Sequence, residues 1–231
     1  MTVQGLDERL AAVAAFVPLG ARLADIGADH AKLPLALAAK EKIARAIAVD
    51  VNEGPFEAAR RAVRAAGMAQ LVEVRLGDGL AALAPGEVDA VAVAGMGGSS
   101  ITRILADGAA VLQAVETLVL QPQGDAAELR AWLYDNGWHI AEESLVRAGG
   151  RLYEVLLARR GKKEKPEPVL LAIGPRLWQE KPPLLKKHIE GLLFRVRRAR
   201  AGMEKSARAR DGAAYRALGE KIAALEEKLI W

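Results

Sequence analysis

The 231-residue chain contains no cysteine, which excludes disulfides, thiolate metal ligands and a catalytic thiol. It also lacks any run of about 20 uncharged apolar residues, the length a helix needs to cross a bilayer, so no membrane partner is expected. Met1-Thr2-Val3-Gln4-Gly5-Leu6-Asp7 has no basic segment leading into an apolar stretch, and no secretory signal is expected. A cytoplasmic location is the simplest reading. Histidine is scarce: His30, His139 and His188 are the only three, and nothing about them suggests a metal site. No Ser/His/Asp or Cys/His arrangement for nucleophilic catalysis is recognisable.

What is present is a hydrophobic fraction of 52%, enough for a substantial core, and an uneven charge distribution. Residues 1–158 carry 14 Lys and Arg against 20 Asp and Glu, a net of −6; residues 159–231 carry 19 against 9, a net of +10. A basic tail beside an acidic body suggests an anionic partner held at one end of the molecule, nucleic acid among the candidates. A basic, solvated helical surface would give the same count.

Short apolar runs alternate with amphipathic stretches through the first 158 residues. Strands are expected at 22–27, 45–50, 71–76, 88–94 and 117–121, and helices at 31–39, 53–66, 99–105 and 126–136. Residues 138–146 and 151–159 read as an antiparallel pair around Gly149-Gly150. The continuous apolar run at 88–94 suits a central parallel strand. This order predicts an open α/β sheet with helices on both faces. Gly161-Lys162-Lys163-Glu164-Lys165-Pro166-Glu167-Pro168 is a polar, proline-bearing junction. It divides a domain 1–160 from a basic helical domain 161–231. In the latter, Leu185, Ile189, Leu192, Val196, Ala199 and Met203, and again Tyr215, Leu218, Ile222, Leu225 and Leu229, recur at heptad spacing. The spacing predicts a coiled-coil hairpin turning near Asp211-Gly212. Arg195, Arg197, Arg198, Arg200, Lys205, Arg208 and Arg210 crowd toward its tip.

Open α/β sheets bind ligands at the carboxyl ends of their strands, and the special residues of this chain fall there. Strand one leads into Asp25-Ile26-Gly27-Ala28-Asp29-His30. Gly27 allows a ligand to approach the backbone. Asp29 stands where a dinucleotide fingerprint has its second glycine, and would repel a pyrophosphate while holding a cationic amino-acid end. That points away from NAD and toward S-adenosylmethionine; the plainer alternative is a tight turn with a helix-capping Asp29. Asp50 ends strand two, where a carboxylate can accept both ribose hydroxyls. Asp78 and Gly79 in Gly77-Asp78-Gly79-Leu80 can meet an adenine, although Asp-Gly is also an ordinary turn. Strand four ends in Ala94-Gly95-Met96-Gly97-Gly98-Ser99. Its glycines ask for close backbone contact, and Met96 could pack on a flat base or belong to the core. Gln121 has an amide able to meet a base edge. His30 could donate or accept a proton at the same end, or simply cap or pack.

Asp25-Ile26-Gly27-Ala28-Asp29-His30-Ala31-Lys32-Leu33-Pro34, Gly54-Pro55, Gly77-Asp78-Gly79-Leu80 and Ala94-Gly95-Met96-Gly97-Gly98 together resemble the bacterial tRNA (adenine-N1)-methyltransferase family that acts at tRNA position 22. Leu120-Gln121-Pro122, Trp132-Leu133-Tyr134 and Tyr153-Glu154-Val155-Leu156 extend the resemblance through nearly all of residues 6–158. It implies a class I methyltransferase, Rossmann-like sheet with a reversed last strand, and S-adenosylmethionine as cofactor. It implies Gly27, Asp29 and His30 at the methionine end, Asp50 at the ribose, and Asp78 and Gly79 at the adenine, with Asp25 also in the cofactor set. Gly95 and Gly97 complete the cofactor set. Asp29 and Met96 then stand closest to the chemistry, while Gly98, Gln121, Arg195, Arg197, Arg198 and Arg200 are the expected tRNA contacts. No protein partner is implied. The Asp/Asn-Pro-Pro-aromatic motif of many amino-methylating enzymes is absent at 95–98, so its catalytic reading does not carry over. A methyltransferase of this fold acting on a small molecule or a protein, and a non-catalytic RNA-binding protein, remain the alternatives.

Overall fold

The computed structural model describes residues 5–204, 210 and 212–230. The expected Lys205, Arg208 and Asp211 of the hairpin tip lie outside the described residues. The chain divides at Lys165/Pro166 into two compact units.

The first unit is built on one seven-stranded sheet. Its strands are β1 (Ala21–Ile26), β2 (Ile43–Asp50), β3 (Val72–Leu76), β4 (Ala90–Met96), β5 (Thr117–Pro122), β6 (Trp138–Ala148) and β7 (Arg151–Arg160), in the order β3-β2-β1-β4-β5-β7-β6. β1 to β5 are parallel; β7 runs antiparallel to both β5 and β6. The reversal comes from a two-residue turn. Ala148 pairs with Arg151, and Gly149 and Gly150 take φ of +52° and +77°, the backbone that suits the right-handed twist of a hairpin.

Helices α1 (Glu8–Phe16), α2 (Lys32–Ala38), α3 (Glu53–Ala65), α4 (Gly98–Asp107), α5 (Ala109–Leu112) and α6 (Ala126–Asp135) cover the sheet. The central strands are apolar on both faces because both faces are covered. Ala24, Ile26, Ile47, Val49, Val91, Val93, Leu118 and Leu120 pack with Ile101 and Leu105 of α4 and Leu129 and Leu133 of α6. Leu23, Ala46, Ala48, Ala90, Ala92 and Val119 face Val13 and Ala14 of α1, Leu33 and Leu37 of α2 and Val63 of α3. Alanines on that second face leave room for the leucines of α2.

The sequence reading passed over α1. Its stretch from Leu10 to Phe16 is continuously apolar, so no helical period stands out, yet Asp7 caps it by accepting from the Leu10 N–H at 2.7 Å. A buried ion cluster fastens α6 to the hairpin: Arg130, fully buried, donates to Glu143 at 2.7 Å and to Glu154 at 2.5 Å.

The second unit is helical: α7 (Pro168–Ile173), α8 (Pro175–Glu180), α9 (Leu185–Met203) and α10 (Ala213–Glu227). α7 packs on both α9 and α10, which pack on each other. Leu171, Ile173, Leu177, Leu185, Ile189, Leu193 and Leu225 are buried, and the ring of His188 bonds to the Ile173 carbonyl at 3.0 Å. The heptad seam is deep only at this end. Leu192, Val196 and Met203 are half-buried, and Ala199, expected in the seam, is exposed. Further along, Arg200 takes over the packing, its guanidinium 4.5 Å from the centre of the Tyr215 ring.

Candidate active site

The strand order reverses at β1, which lies between β2 and β4, and a crevice opens at the carboxyl ends of these strands. A cleft of about 460 Å³ lies there, a size that suits a nucleoside-bearing ligand. It is lined by Gly27 after β1, Asp50 to Asn52 after β2, Gly77 to Gly79 after β3, Ala94 to Gly97 at β4, and Ser100, Arg103 and Ile104 of α4.

Glycines shape its floor. Gly27 has φ +73°, and a β-carbon there would stand 2.3 Å from Met96 Cε, so the methionine rests directly on that glycine. Gly79 has φ +56° and faces Ile104 Cγ2 at 3.2 Å from where its β-carbon would be. Gly95 has φ +83° and sits at a break in the β4–β5 register between Ala94 and Met96. The bulge interrupts the ladder at the end of β4, and the Met96 carbonyl accepts from the Gln123 N–H at 2.8 Å. Gly97 lies at the entry to α4, which has no side-chain cap.

Two carboxylates are nearly buried here, Asp50 in the cleft lining and Asp25 outside it. Asp50 is 8% exposed and accepts from the Asn52 N–H at 3.0 Å and the Asp29 N–H at 3.4 Å, which fixes its orientation. Asp25 is 5% exposed; burial, helped by the negative charge of Asp50, pushes its carboxyl up to about 7. The loop between β1 and α2 is tightly wound, with left-handed φ at Gly27, Asp29 (+48°) and Ala31 (+52°). Aspartate tolerates that conformation better than alanine does. The Asp29 and His30 side chains are more than half exposed, with Asp29 Oδ1 and His30 Nε2 3.6 Å apart.

Gly27, Asp50, Asp78, Gly79, Gly95, Met96 and Gly97 therefore converge on one cleft, while Asp25, Asp29 and His30 stand outside its lining. Two expected substrate contacts do not reach it. Gln121 is fully buried: its amide oxygen accepts from Arg9 Nη1 at 2.8 Å and its amide nitrogen donates to the Pro122 carbonyl at 3.0 Å. Gly98 is buried against the neighbouring loop, its N–H donating to the Gly124 carbonyl at 2.9 Å; a β-carbon there would lie 2.6 Å from the Asp125 carbonyl oxygen. Its glycine is explained by backbone packing. Arg9 also approaches Gly95, 3.6 Å from where a β-carbon would be. No motif around Arg9 announces this role, nor those of Asn52, Ser100 and Arg103 in the lining.

The four arginines expected to meet tRNA divide into two pairs. Arg197 donates to Glu226 at 2.5 Å, and Arg200 stacks on Tyr215, so both tie α9 to α10. Arg195 and Arg198 are exposed. Among the described residues, no group of three or more His, Asp or Glu side chains could hold a metal ion, and no helix is long and apolar enough to cross a membrane.

The sheet order and the glycine-floored cleft are those of a methyltransferase, and a family model described as a methyltransferase domain matches residues 6–156. The tRNA (adenine(22)-N(1))-methyltransferase of Bacillus subtilis is 39% identical over 181 residues, 76% of each chain. The crystal structure of the B. subtilis m1A22 tRNA methyltransferase superposes with a TM-score of 0.89 at 33% identity, covering 97% of this chain and 98% of that one. A Streptococcus pneumoniae relative, solved in complex with S-adenosyl-L-methionine, superposes with a TM-score of 0.86 at 36% identity, covering 97% and 99%. The chain belongs to the tRNA (adenine(22)-N1)-methyltransferase family.

Proposed function

We propose that this protein methylates N1 of adenine 22 in tRNA, with S-adenosylmethionine as methyl donor. The observation that carries the reading is the 39% identity, over 76% of both chains, to the B. subtilis enzyme of that activity. Acting on tRNA, it works in the cytoplasm.

The residues of the cleft suit this donor. Gly27 lets Met96 pack directly on the backbone of the cleft floor, where a side chain would push the methionine into the space a ligand needs. Asp50 already has its carboxylate held by two backbone N–H groups, and its remaining lone pairs can accept ribose hydroxyls. Asp78 offers an acceptor to an adenine amino group while Gly79 admits the ring. Asp25, half-ionised near pH 7, favours a cationic amino-acid end. When bound, S-adenosylmethionine supplies an electrophilic methyl group on a sulfonium.

The acceptor N1 carries a lone pair at neutral pH, so the protein has no need of a strong base before attack. Its task is placement: holding the base in line with the methyl group supplies much of the rate. N1 lies on the pairing edge, so the adenine must be unpaired or swung out of its stack. The Gly95–Gly97 backbone and the soft Met96 thioether, which line the cleft, form the platform for it. The product is cationic, and the exposed Asp29 carboxylate on the loop after β1 offers it a counter-charge. Arg195 and Arg198 bind tRNA phosphates, contacts that set affinity and register without reading sequence.

The test is methyl transfer from labelled S-adenosylmethionine to an unmodified tRNA transcript, with the modified nucleoside identified by mass. The reading requires 1-methyladenosine that disappears when adenine 22 is replaced. Cofactor binding without any labelled tRNA would leave the fold and refute the substrate.

A further inference from the structure

The catalytic unit faces an electrostatic difficulty. Residues 1–165 carry 19 Lys and Arg against 21 Asp and Glu, a net of −2, and the cleft itself is lined by the carboxylates of Asp50 and Asp78, yet the target nucleotide is anionic. Arg103 is the only cation among the described residues that line the cleft. It is exposed, and among the described residues its side chain has no hydrogen bond or ion pair. Other arginines of the same unit are held by carboxylates: Arg22 by Asp89, Arg75 by Glu73 and Glu87, and Arg130 by Glu143 and Glu154. An unpaired guanidinium at the mouth of an acidic cleft is free to meet an incoming anion.

We infer that Arg103 is a substrate contact of the catalytic unit, binding a phosphate next to the target adenosine of tRNA. This rests on the tRNA reading above. Three placements support it. Ser100, Arg103 and Ile104 share one face of α4, at three- and four-residue spacing, and all line the cleft. Arg103 lies about 7.5 Å along the helix axis from Gly98, at 1.5 Å per residue, and so stands back from the Met96–Gly97 platform. Ile104 beside it abuts Gly79. The donor's only carboxylate belongs to its amino-acid end, assigned to Gly27 and Asp25 at the end of β1, whereas Arg103 stands at the Asp78–Gly79 wall. An RNA phosphate is the anion that remains for it, with the Ser100 hydroxyl on the same face.

The experiment measures steady-state methylation of the tRNA transcript by wild type, Arg103→Ala, Arg103→Lys and Arg103→Glu over a range of salt concentrations, with S-adenosylmethionine affinity measured by calorimetry. Losing one phosphate contact should raise KM for tRNA about fivefold in Arg103→Ala and flatten the log–log salt dependence by about 0.7–0.9. Arg103→Glu should be worse, and Arg103→Lys close to wild type. Cofactor affinity should not move. An unchanged KM and salt slope in Arg103→Ala and Arg103→Glu would overturn the inference and leave the tRNA reading intact. A parallel loss of S-adenosylmethionine affinity would overturn it in favour of a cofactor contact. If wild type forms no 1-methyladenosine, the tRNA reading itself fails and this inference with it.

Discussion

The two units solve different problems with different chemistry. The sheet unit buries all of β5 and the first four residues of β4, and spends its glycines where a ligand or a backbone must come close. The helical unit has a shallow seam; Phe194 is 67% exposed, and interhelical ties pass through charged groups such as Arg197–Glu226 and Arg200–Tyr215. Their charges differ in the same sense: residues 1–165 carry 19 Lys and Arg against 21 Asp and Glu, and residues 166–231 carry 14 against 8. One unit is organised around a cleft whose geometry tolerates little change. The other presents a surface on which single charges matter little, because exposed ion pairs contribute about 0–1 kcal/mol each.

The sharpest way to separate them is to disturb a fully buried ion group. Arg130→Ala strands Glu143 in the interior beside the partly buried Glu154 and should destabilise the sheet unit by about 3–5 kcal/mol, read as a shift in the urea midpoint. A change below about 1 kcal/mol would mean that water or repacking compensates the cluster, and that the sheet unit tolerates charge as the helical one does.

Next in size is Gly27→Ala. The left-handed φ alone costs about 1–2 kcal/mol, and the new methyl group drives Met96 into the cleft. S-adenosylmethionine affinity should fall more than about tenfold by calorimetry, since each 1.4 kcal/mol is a factor of ten. Pairing it with Met96→Ala should recover only the part due to the contact, leaving the backbone strain.

Asp25→Asn should trade binding for stability in a pH-dependent way. The carboxyl titrates near 7 in the folded protein and near 3.8 when unfolded. Between those values the unfolded state releases its proton first, so wild-type stability falls as pH rises and levels off above about 7. The asparagine variant lacks that slope. It should be more stable than wild type at pH 8 and bind S-adenosylmethionine more weakly there. Parallel stability–pH curves for the two proteins would show that folding does not raise the Asp25 carboxyl above its ordinary range.

The smallest effects should lie in the helical unit. Arg195→Ala with Arg198→Ala should weaken tRNA binding a few-fold at low salt, with stability and cofactor affinity unchanged. Arg200→Ala should instead cost about 1 kcal/mol of stability through lost stacking on Tyr215. If both variants lose tRNA affinity and neither loses stability, the division between free and structural arginines is wrong.

The alternation of apolar runs and amphipathic stretches was enough to place all seven strands within about two residues, because parallel strands buried on both faces leave a continuous apolar signature. The glycines and aspartates at the strand ends were legible for a related reason. Backbone with positive φ excludes most side chains, so Gly27, Gly79 and Gly95 advertise their geometry in the sequence itself. The continuously apolar stretch 10–16 of α1 carried no such period.

Composition and pattern alone thus determined the sheet, its reversed hairpin, the acidic and basic halves, and most of the cleft floor. The tertiary structure decided what the side chains of ambiguous residues do. Gln121 and Arg9, 112 positions apart, saturate each other. Gly98 is explained by the carbonyls of residues 124 and 125. Two of four equivalent-looking arginines are engaged across the hairpin, and Arg103 is left unpaired at the cleft. The reason is physical. Backbone conformation and hydrophobic periodicity are local properties written in consecutive residues, whereas the partner of a charged or amide side chain is chosen by whichever group the fold brings within hydrogen-bonding distance.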